Sequence, residues 1–286
     1  MKITLPPLND TREYNRKTTD YGNGMIEIVA YHQPKETYIG ARPPSSRNKP
    51  KLSDEEQEKR TRSQIHAIRR RIKGYALTND FEWFVTLTLD PQKVNSFNYD
   101  VSKTVLLKWC RSIRDKYGKF NYLLIPELHK SGAIHFHGLL GKIPNENFVQ
   151  AVNPKTNISV VRNGRQVYNL TDWKHGFSDC EKLENSEKAS SYITKYITSA
   201  LLTDKDMYGK KRYFNSQGLK KPKVSFSMED NTKLNDFIPN FGIVGTDSDG
   251  KNYVDVGLYK LTTDSETGAL IQKDTNYIIR AKNEYK

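Results

Sequence analysis

The strongest pattern of hydrophobic positions lies in the middle of the chain. Residues 81–89 combine aromatic and β-branched side chains and are followed by an Asp-Pro pair, which predicts a strand with a defined end. Residues 102–116 carry apolar side chains at helical spacing and predict a helix. Two more strands are predicted at 121–129 and 133–140, because residues 130–132 (Lys-Ser-Gly) are typical of a hairpin turn.

Weaker patterns on either side predict further elements. Ser53 is a candidate helix N-cap followed by three acidic residues, so a helix is predicted from there to about Gly74. Another helix is predicted to start at Asn185 or Ser186 and to end near Leu202. Short strands are predicted at 24–30, 212–215, 224–228, 243–244, 253–259 and 278–279. This alternation predicts an α+β fold in which helices pack on a mostly antiparallel central sheet.

Composition adds a strong positive charge. The chain has 46 Lys and Arg against 33 Asp and Glu, a formal net charge of +13. Such an excess favours phosphate backbones or anionic lipid as a partner, although many small proteins are simply basic. No apolar run approaches the roughly 20 residues of a membrane-spanning helix, and the first residues do not resemble a signal peptide, so we expect a cytoplasmic protein without a membrane partner. Two cysteines are too few for a disulfide scaffold or a four-cysteine zinc site.

Basic residues cluster at three places along the chain. Residues 40–51 are rich in proline and basic side chains and are typical of a linker or an extended arm. The second half of the first helix is strongly basic, which fits either a solvated helix face or a contact with a DNA backbone. A further basic stretch covers 209–223. The residues predicted to contact DNA are Arg69, Arg70, Arg71, Lys73, Lys220 and Lys221.

Two histidines alternate within the second strand of the predicted hairpin. His135 and His137 therefore share one face of that strand. A turn at 130–132 places Glu127 opposite His135, and cross-strand partners lie close together on one face. Two imidazoles and one carboxylate suit Mg²⁺, Mn²⁺ or a transition metal. His129 lies on the same face and is a reserve ligand, while the alternative is a strand that binds no metal.

A pair of tyrosines has the spacing of one helix turn. Tyr192 and Tyr196 lie on one helix face, and Lys195 borders it. A tyrosine nucleophile needs a cation or metal nearby and an electrophile that is already activated. A divalent ion on a phosphodiester meets the second need, and a lysine can neutralise the developing charge. The alternative is an aromatic pair that packs in the core.

These two groups, in this order, resemble the motifs of the HUH endonucleases, specifically the rolling-circle replication initiators of phages, plasmids and single-stranded DNA viruses. Phe84–Thr88 is similar to motif I, His135–His137 to the motif II metal platform, and Tyr192–Tyr196 to the Tyr-x-x-Lys core of motif III. The run 212–222 is similar to a string found in a sub-group of bacterial and phage initiators. The resemblance covers roughly residues 78–230.

The resemblance implies a ferredoxin-like or RNA-recognition-like core and a Mg²⁺ or Mn²⁺ cofactor. It also implies site-specific nicking and joining of single-stranded DNA through a covalent 5′-phosphotyrosine. Glu127, His135 and His137 are then expected to hold the metal. Tyr192 is expected to attack, because Lys195 follows it at the motif spacing and can stabilise the charge that develops.

Tyr196 departs from the pattern of the two-tyrosine phage initiators. In those proteins each tyrosine tends to be followed three residues later by a lysine, whereas Ser199 follows Tyr196 here. Tyr196 is therefore predicted to be either a second nucleophile, which closes the circle, or a packing residue.

The expected organisation has three parts. These are a basic N-terminal arm with one helix (1–76), an endonuclease domain (77–232) and a small β-rich extension (233–286). The chain carries no phosphate-binding loop of the kind found in a fused helicase. A host helicase and polymerase are therefore expected partners, besides single-stranded origin DNA, in the cytoplasm of a bacterial host.

Two other functions remain open at this point. A conjugative relaxase or a single-strand transposase uses the same chemistry, although relaxases usually carry the nucleophile near the N-terminus and small transposases are usually shorter. A nucleic-acid-binding module without catalysis would bind through its basic charge and aromatic-rich sheet. Metal binding distinguishes this module from an enzyme, because a module should hold single strands equally well in chelator.

Overall fold

The protein consists of two compact units of chain. The computed structural model describes residues 11–38, 53–196 and 209–282. One unit, here the central unit, is Leu52–Lys221. The other, here the flanking unit, combines Met1–Lys51 with Pro222–Lys286. The predicted linker and the predicted end of the last helix near Leu202 lie outside the described residues.

Three α-helices and sixteen strands are formed by the described residues. The helices are α1 (Asp54–Thr78), α2 (Tyr99–Tyr117) and α3 (Ser186–Thr194). The strands are β1 (Thr11–Asp20), β2 (Met25–Tyr38), β3 (Trp83–Thr88), β4 (Asn121–Leu128), β5 (Ile134–Gly141), β6 (Phe148–Gln150), β7 (Val161–Arg162), β8 (Arg165–Gln166), β9 (Tyr168–Leu170), β10 (Ser178–Lys182), β11 (Phe214–Asn215), β12 (Lys223–Ser227), β13 (Phe241–Thr246), β14 (Asn252–Thr263), β15 (Leu270–Ile271) and β16 (Ile278–Ala281). None of the described helices has the length and apolarity needed to cross a membrane.

A seven-stranded antiparallel sheet forms the centre of the central unit. Its strand order is β11-β4-β5-β3-β10-β9-β6. The helices pack against this sheet around one hydrophobic core. The predicted α+β class with an antiparallel sheet is therefore confirmed. The sequence did not predict β10, which lies inside the sheet, because its residues (SDCEK) are mostly polar.

Helix α2 covers one face of the central sheet. The side chain of Asn98 accepts hydrogen bonds from the backbone of the first turn, and Gly118, with a φ of 81°, ends the helix. The helix buries Leu106, Trp109 and Ile113 at the spacing predicted from the sequence. Cys110, on the same buried stripe, is a free thiol, as is Cys180 on β10. Burial, and no disulfide, therefore explains both cysteines.

Helix α1 belongs to the central unit. It begins with a capping box in which the Ser53 side chain accepts from the backbone N–H of Glu56, and the Glu56 side chain accepts from the backbone N–H of Ser53. It ends at Thr78, four residues beyond the predicted end (78 − 74 = 4). Tyr75 and Ala76 are buried in the central core, so packing extends the helix and anchors it there. The sequence placed this helix in an N-terminal arm that ends at residue 76.

The flanking unit is a second sheet, with the order β12-β1-β2-β14-β13-β16 and with β15 paired to β14. Its pairs are antiparallel except β13 with β16. The sequence divided its strands among an arm (1–76), the endonuclease domain and a separate extension from residue 233, whereas both ends of the chain share this one sheet. The polar residues of β1 (TREYNRKTTD) give no apolar alternation from which the pairing could be predicted.

Candidate active site

The hairpin β4–β5 has the register predicted from its turn. Glu127 pairs with His135, and Ile125 pairs with His137, which confirms the predicted pairing. Gly138, next along β5, approaches β4 so closely that a Cβ there would lie 2.7 Å from the Leu123 carbonyl oxygen. A glycine is therefore required beside His137, and it holds the two strands together at the level of the candidate ligands.

Glu127 and His137 are in direct contact. The Nε2 atom of His137 lies 2.6 Å from Oε2 of Glu127. This hydrogen bond lowers the pKa of the Glu127 carboxyl, and partial burial works against the shift. His137 is buried whereas Glu127 is partly exposed. The pair therefore places an ionised carboxylate at the edge of a buried imidazole.

His135 lies beside this pair and stays neutral at physiological pH. Burial, and then the neighbouring imidazoles of His129 and His137, lower the pKa of His135. The ring of His129 stacks on that of His135 with 5.0 Å between centroids. The reserve ligand predicted from the sequence therefore adjoins His135. A neutral imidazole keeps a lone pair, which is the form that a metal binds.

Two threonines of β3 contact the histidines. Thr86 pairs with His137 and Thr88 with His135 across the sheet. Each hydroxyl oxygen approaches the Nδ1 atom of its histidine, at 3.0 Å for Thr86 and 3.3 Å for Thr88. A hydroxyl can donate to Nδ1 or accept from Nδ1–H. In the second state the Nε2 lone pair of each ring is free for a metal.

The threonines are functional candidates that the sequence reasoning missed. Motif I had been assigned no direct role, although alternation in Phe84–Thr88 places both threonines on one face. What the sequence lacked was the partner of β3, since its pairing with β5 is non-local. Phe84 shares the same face and contacts the candidate tyrosines described next.

Helix α3 brings the tyrosines to the histidine face. The helix starts at Asn185, whose side chain accepts from Lys188 N–H at 2.8 Å, and ends at Thr194. Tyr196 follows in a turn, and its ring stacks on the His137 ring with 3.7 Å between centroids and 10° between planes. Burial, and then the Glu127 carboxylate, raise the pKa of Tyr196.

Tyr192 lies at the outer side of the same group. Its ring centroid is 5.7 Å from that of Phe84, and the Nζ atom of Lys195 lies 4.5 Å above the ring. The Phe84 ring also lies 6.0 Å from Tyr196. Phe84 thus links the two tyrosines, and Tyr192 has the cation beside it that the motif spacing predicted.

The donor types at this site fit a divalent cation, but the arrangement joins two of the donors to each other. Within the three described stretches, no group of three or more His, Cys, Asp or Glu side chains has a geometry that could hold a metal ion. The Glu127–His137 hydrogen bond connects two donors that a metal would have to separate. A metal at this site would therefore compete with that hydrogen bond.

The predicted DNA-contacting residues lie in one unit. Arg69, Arg70 and Arg71 are exposed on α1, and Lys73 is half-buried. Two contacts tie this helix to the downstream basic run: Arg71 approaches the Tyr213 hydroxyl at 3.4 Å, and Asn79 exchanges two hydrogen bonds with the backbone of Lys220. The Tyr213 contact raises the pKa of Arg71. Lys220 and Lys221 are exposed, so both basic clusters belong to the same surface region.

Comparison with known families supports a role in replication. The family described as replication-associated protein ORF2 matches residues 82–201. This range contains β3, the β4–β5 hairpin and α3, and hence every candidate ligand and both tyrosines. The match supports a function in replication initiation. No curated protein and no solved structure matches the chain.

Proposed function

We propose that this chain is a rolling-circle replication initiator of the HUH endonuclease type, which nicks and rejoins single-stranded DNA at a specific site. The observation that supports it best is the convergence of Glu127, His137 and Tyr196 on one sheet face, within the segment that the replication-associated family matches. Unwinding and synthesis fall to a separate helicase and polymerase of a bacterial host cell.

Glu127, His135 and His137 are the proposed metal ligands. Bound Mg²⁺ or Mn²⁺ supplies Lewis-acid polarisation of the scissile phosphodiester. Thr86 and Thr88 support the two imidazoles from behind, because each hydroxyl contacts an Nδ1 atom and leaves Nε2 available. Glu127 contributes an ionised carboxylate, since its pKa is lowered.

Tyr192 is the proposed nucleophile. Its hydroxyl oxygen attacks phosphorus, the bond from phosphorus to the 3′ oxygen breaks, and the 3′ hydroxyl leaves with a proton while a 5′-phosphotyrosine forms. Lys195, close above the Tyr192 ring, stabilises the developing negative charge. Tyr196 is a weaker nucleophile in this arrangement because burial raises its pKa. Its stacking on His137 favours a packing role for this ring over the second transfer reaction.

A denaturing gel tests this proposal. End-labelled single-stranded DNA, tiled from the element that encodes the chain, is incubated with protein in Mn²⁺ or in chelator. We expect a covalent adduct that needs both the metal and Tyr192, so Tyr192→Phe should abolish it. Tyr277→Phe is the matched control, because Tyr277 is an exposed tyrosine of the flanking unit. An adduct that survives Tyr192→Phe would move the nucleophile to another residue.

A nucleic-acid-binding module without catalysis is the second candidate. The direct hydrogen bond between Glu127 and His137 favours it, because this contact satisfies both groups without a metal. Such a module would form no adduct on any fragment and would bind single strands equally well with Mn²⁺ and with chelator.

A further inference from the structure

A basic cavity lies in the central unit on the other face of its sheet. Tyr122 lines this cavity and precedes Glu127 on β4 by an odd number of residues, so alternation places the two side chains on opposite faces. The cavity has a volume of about 400 Å³, within the range of roughly 300–1,000 Å³ for ligand sites. We call it the α2 pocket, and its lining includes Arg111, Arg114, Lys119, Phe120, Tyr122 and Gln217.

Three cationic side chains point to an anion in the α2 pocket. Arg111 and Arg114 share one face of α2, and Lys119 follows the glycine that ends the helix. No acidic side chain of the described residues lines the pocket. The carboxylate of Asp115 lies 3.8 Å from Arg114 Nε, and both of these side chains are exposed. Positive charge without acidic lining attracts a phosphate.

Two aromatic rings form one wall of the pocket. The ring centroids of Phe120 and Tyr122 are 5.1 Å apart, with 37° between planes. Burial raises the pKa of Tyr122 to about 12, so its hydroxyl keeps its proton at neutral pH. Aromatic rings beside cations are the combination on which single-stranded nucleic acids stack. The amide of Gln217 can donate to and accept from the edge of a base.

The remaining wall is held in place by the sheet. Ser216 donates its backbone N–H to the Tyr122 carbonyl at 3.0 Å, and its hydroxyl accepts from Tyr122 N–H at 3.2 Å. Gly218 turns the loop with a φ of 84°, a conformation that favours glycine. The pocket is therefore preformed, and a ligand would lose little affinity to ordering its walls.

We propose that the α2 pocket binds one nucleotide of single-stranded DNA, with the phosphate on Arg111, Arg114 and Lys119 and the base against the Phe120–Tyr122 wall. The inference rests on the DNA-binding part of the proposed function and does not require its tyrosine chemistry. The loop of Gln217 directly follows β11, the edge strand of the central sheet. A DNA strand that occupies both sites therefore passes this edge, and the pocket anchors it away from the scissile phosphate.

Fluorescence anisotropy with a labelled oligothymidylate tests the proposal. The full chain carries Tyr192→Phe and is titrated in chelator, so that nicking cannot contribute. We expect Arg111→Gln with Lys119→Gln to weaken binding about tenfold and to reduce the slope of log affinity against log salt by about 1.4, which is about 0.7 for each phosphate contact. Lys108→Gln with Lys174→Gln is the matched control, because it removes two exposed lysines outside the pocket.

Photocrosslinking locates the base. An oligonucleotide that carries iododeoxyuridine is irradiated with the protein, and the digested product is analysed by mass spectrometry. We expect crosslinked peptide that contains Phe120 and Tyr122. Tyr122→Phe should retain affinity, since the ring remains. Thermal melting of each variant verifies that the central unit is folded.

Three outcomes overturn different claims. Equal loss of affinity and of salt slope in the pocket and control pairs would overturn the pocket assignment, as would crosslinks confined to other peptides. Competition by a free deoxynucleoside monophosphate at the same affinity as the oligonucleotide would show a free-nucleotide site and overturn the strand assignment. Failure of the parent Tyr192→Phe chain and of the wild type to bind the oligonucleotide would instead contradict the proposed function.

Discussion

The central and flanking units are both built on seven-stranded sheets, yet their interiors differ. The central sheet is packed with large apolar side chains, and Phe136, Leu139 and Leu140 of β5 are fully buried. The flanking sheet has a small cluster of five buried residues, and its buried set includes Arg16. The comparison teaches that the unit with the candidate site is held by burial of apolar area, whereas the other depends more on its polar contacts.

The largest effect should come from the central core. Phe136→Ala is expected to lower the free energy of unfolding of the central unit by about 3–5 kcal/mol, because the lost ring leaves a cavity that the sheet cannot close. Urea unfolding monitored by circular dichroism measures the change. Phe241→Ala, at a half-buried ring of the flanking unit, is the control and should cost less. Equal losses at the two positions would contradict the difference between the two interiors.

The next effect concerns the buried cation of the flanking unit. Arg16 contacts Glu229 at 2.5 Å and bonds Asn231 through two nitrogen atoms. Arg16→Met is expected to destabilise this unit by roughly 1.5–3 kcal/mol, the range for hydrogen bonds to charged groups. Limited proteolysis of the flanking strands, beside urea unfolding, reports the change. An unchanged rate of cleavage would show that apolar packing carries this unit too.

The third prediction asks whether function also resides in the central unit. Thr86→Val with Thr88→Val removes the hydroxyl contacts to both Nδ1 atoms and is expected to weaken Mn²⁺ binding about 10–100-fold. Isothermal titration calorimetry gives the affinity without relying on nicking. Thr86→Ser with Thr88→Ser keeps the hydroxyls and should restore binding. Wild-type affinity in the valine variant would remove the threonines from the site.

The smallest expected effect is a dependence on pH in the central unit. Burial, and then the Lys93 charge, lower the pKa of His175 below its ordinary value of 6.5. The unfolded chain therefore binds this proton more readily, so the stability contribution is present above pH 6.5 and is lost as the pH falls below it. His175→Gln should reduce the difference in unfolding free energy between about pH 8 and about pH 5. His32→Gln in the flanking unit is the control, and equal reductions in both variants would refute the assignment.

The local elements of the central unit could be predicted from the sequence. The register of Glu127 with His135 follows from a tight turn and strict alternation, which act within a few residues of each other. The same holds for the buried stripe of α2. The spacing of the tyrosines also predicted their common side, although the helix ends at Thr194 and Tyr196 reaches His137 from a turn.

The sequence by itself thus determined the hairpin, the apolar helix and the order of the candidate motifs, because each depends on near neighbours along the chain. Only the tertiary structure decided which element accompanies which: that α1 joins the central core, that polar β1 pairs with β2 and β12, and that Thr86 meets His137. These contacts join residues far apart in sequence. Backbone hydrogen bonds and buried area select such partners, and a short pattern of polar residues carries no record of that selection.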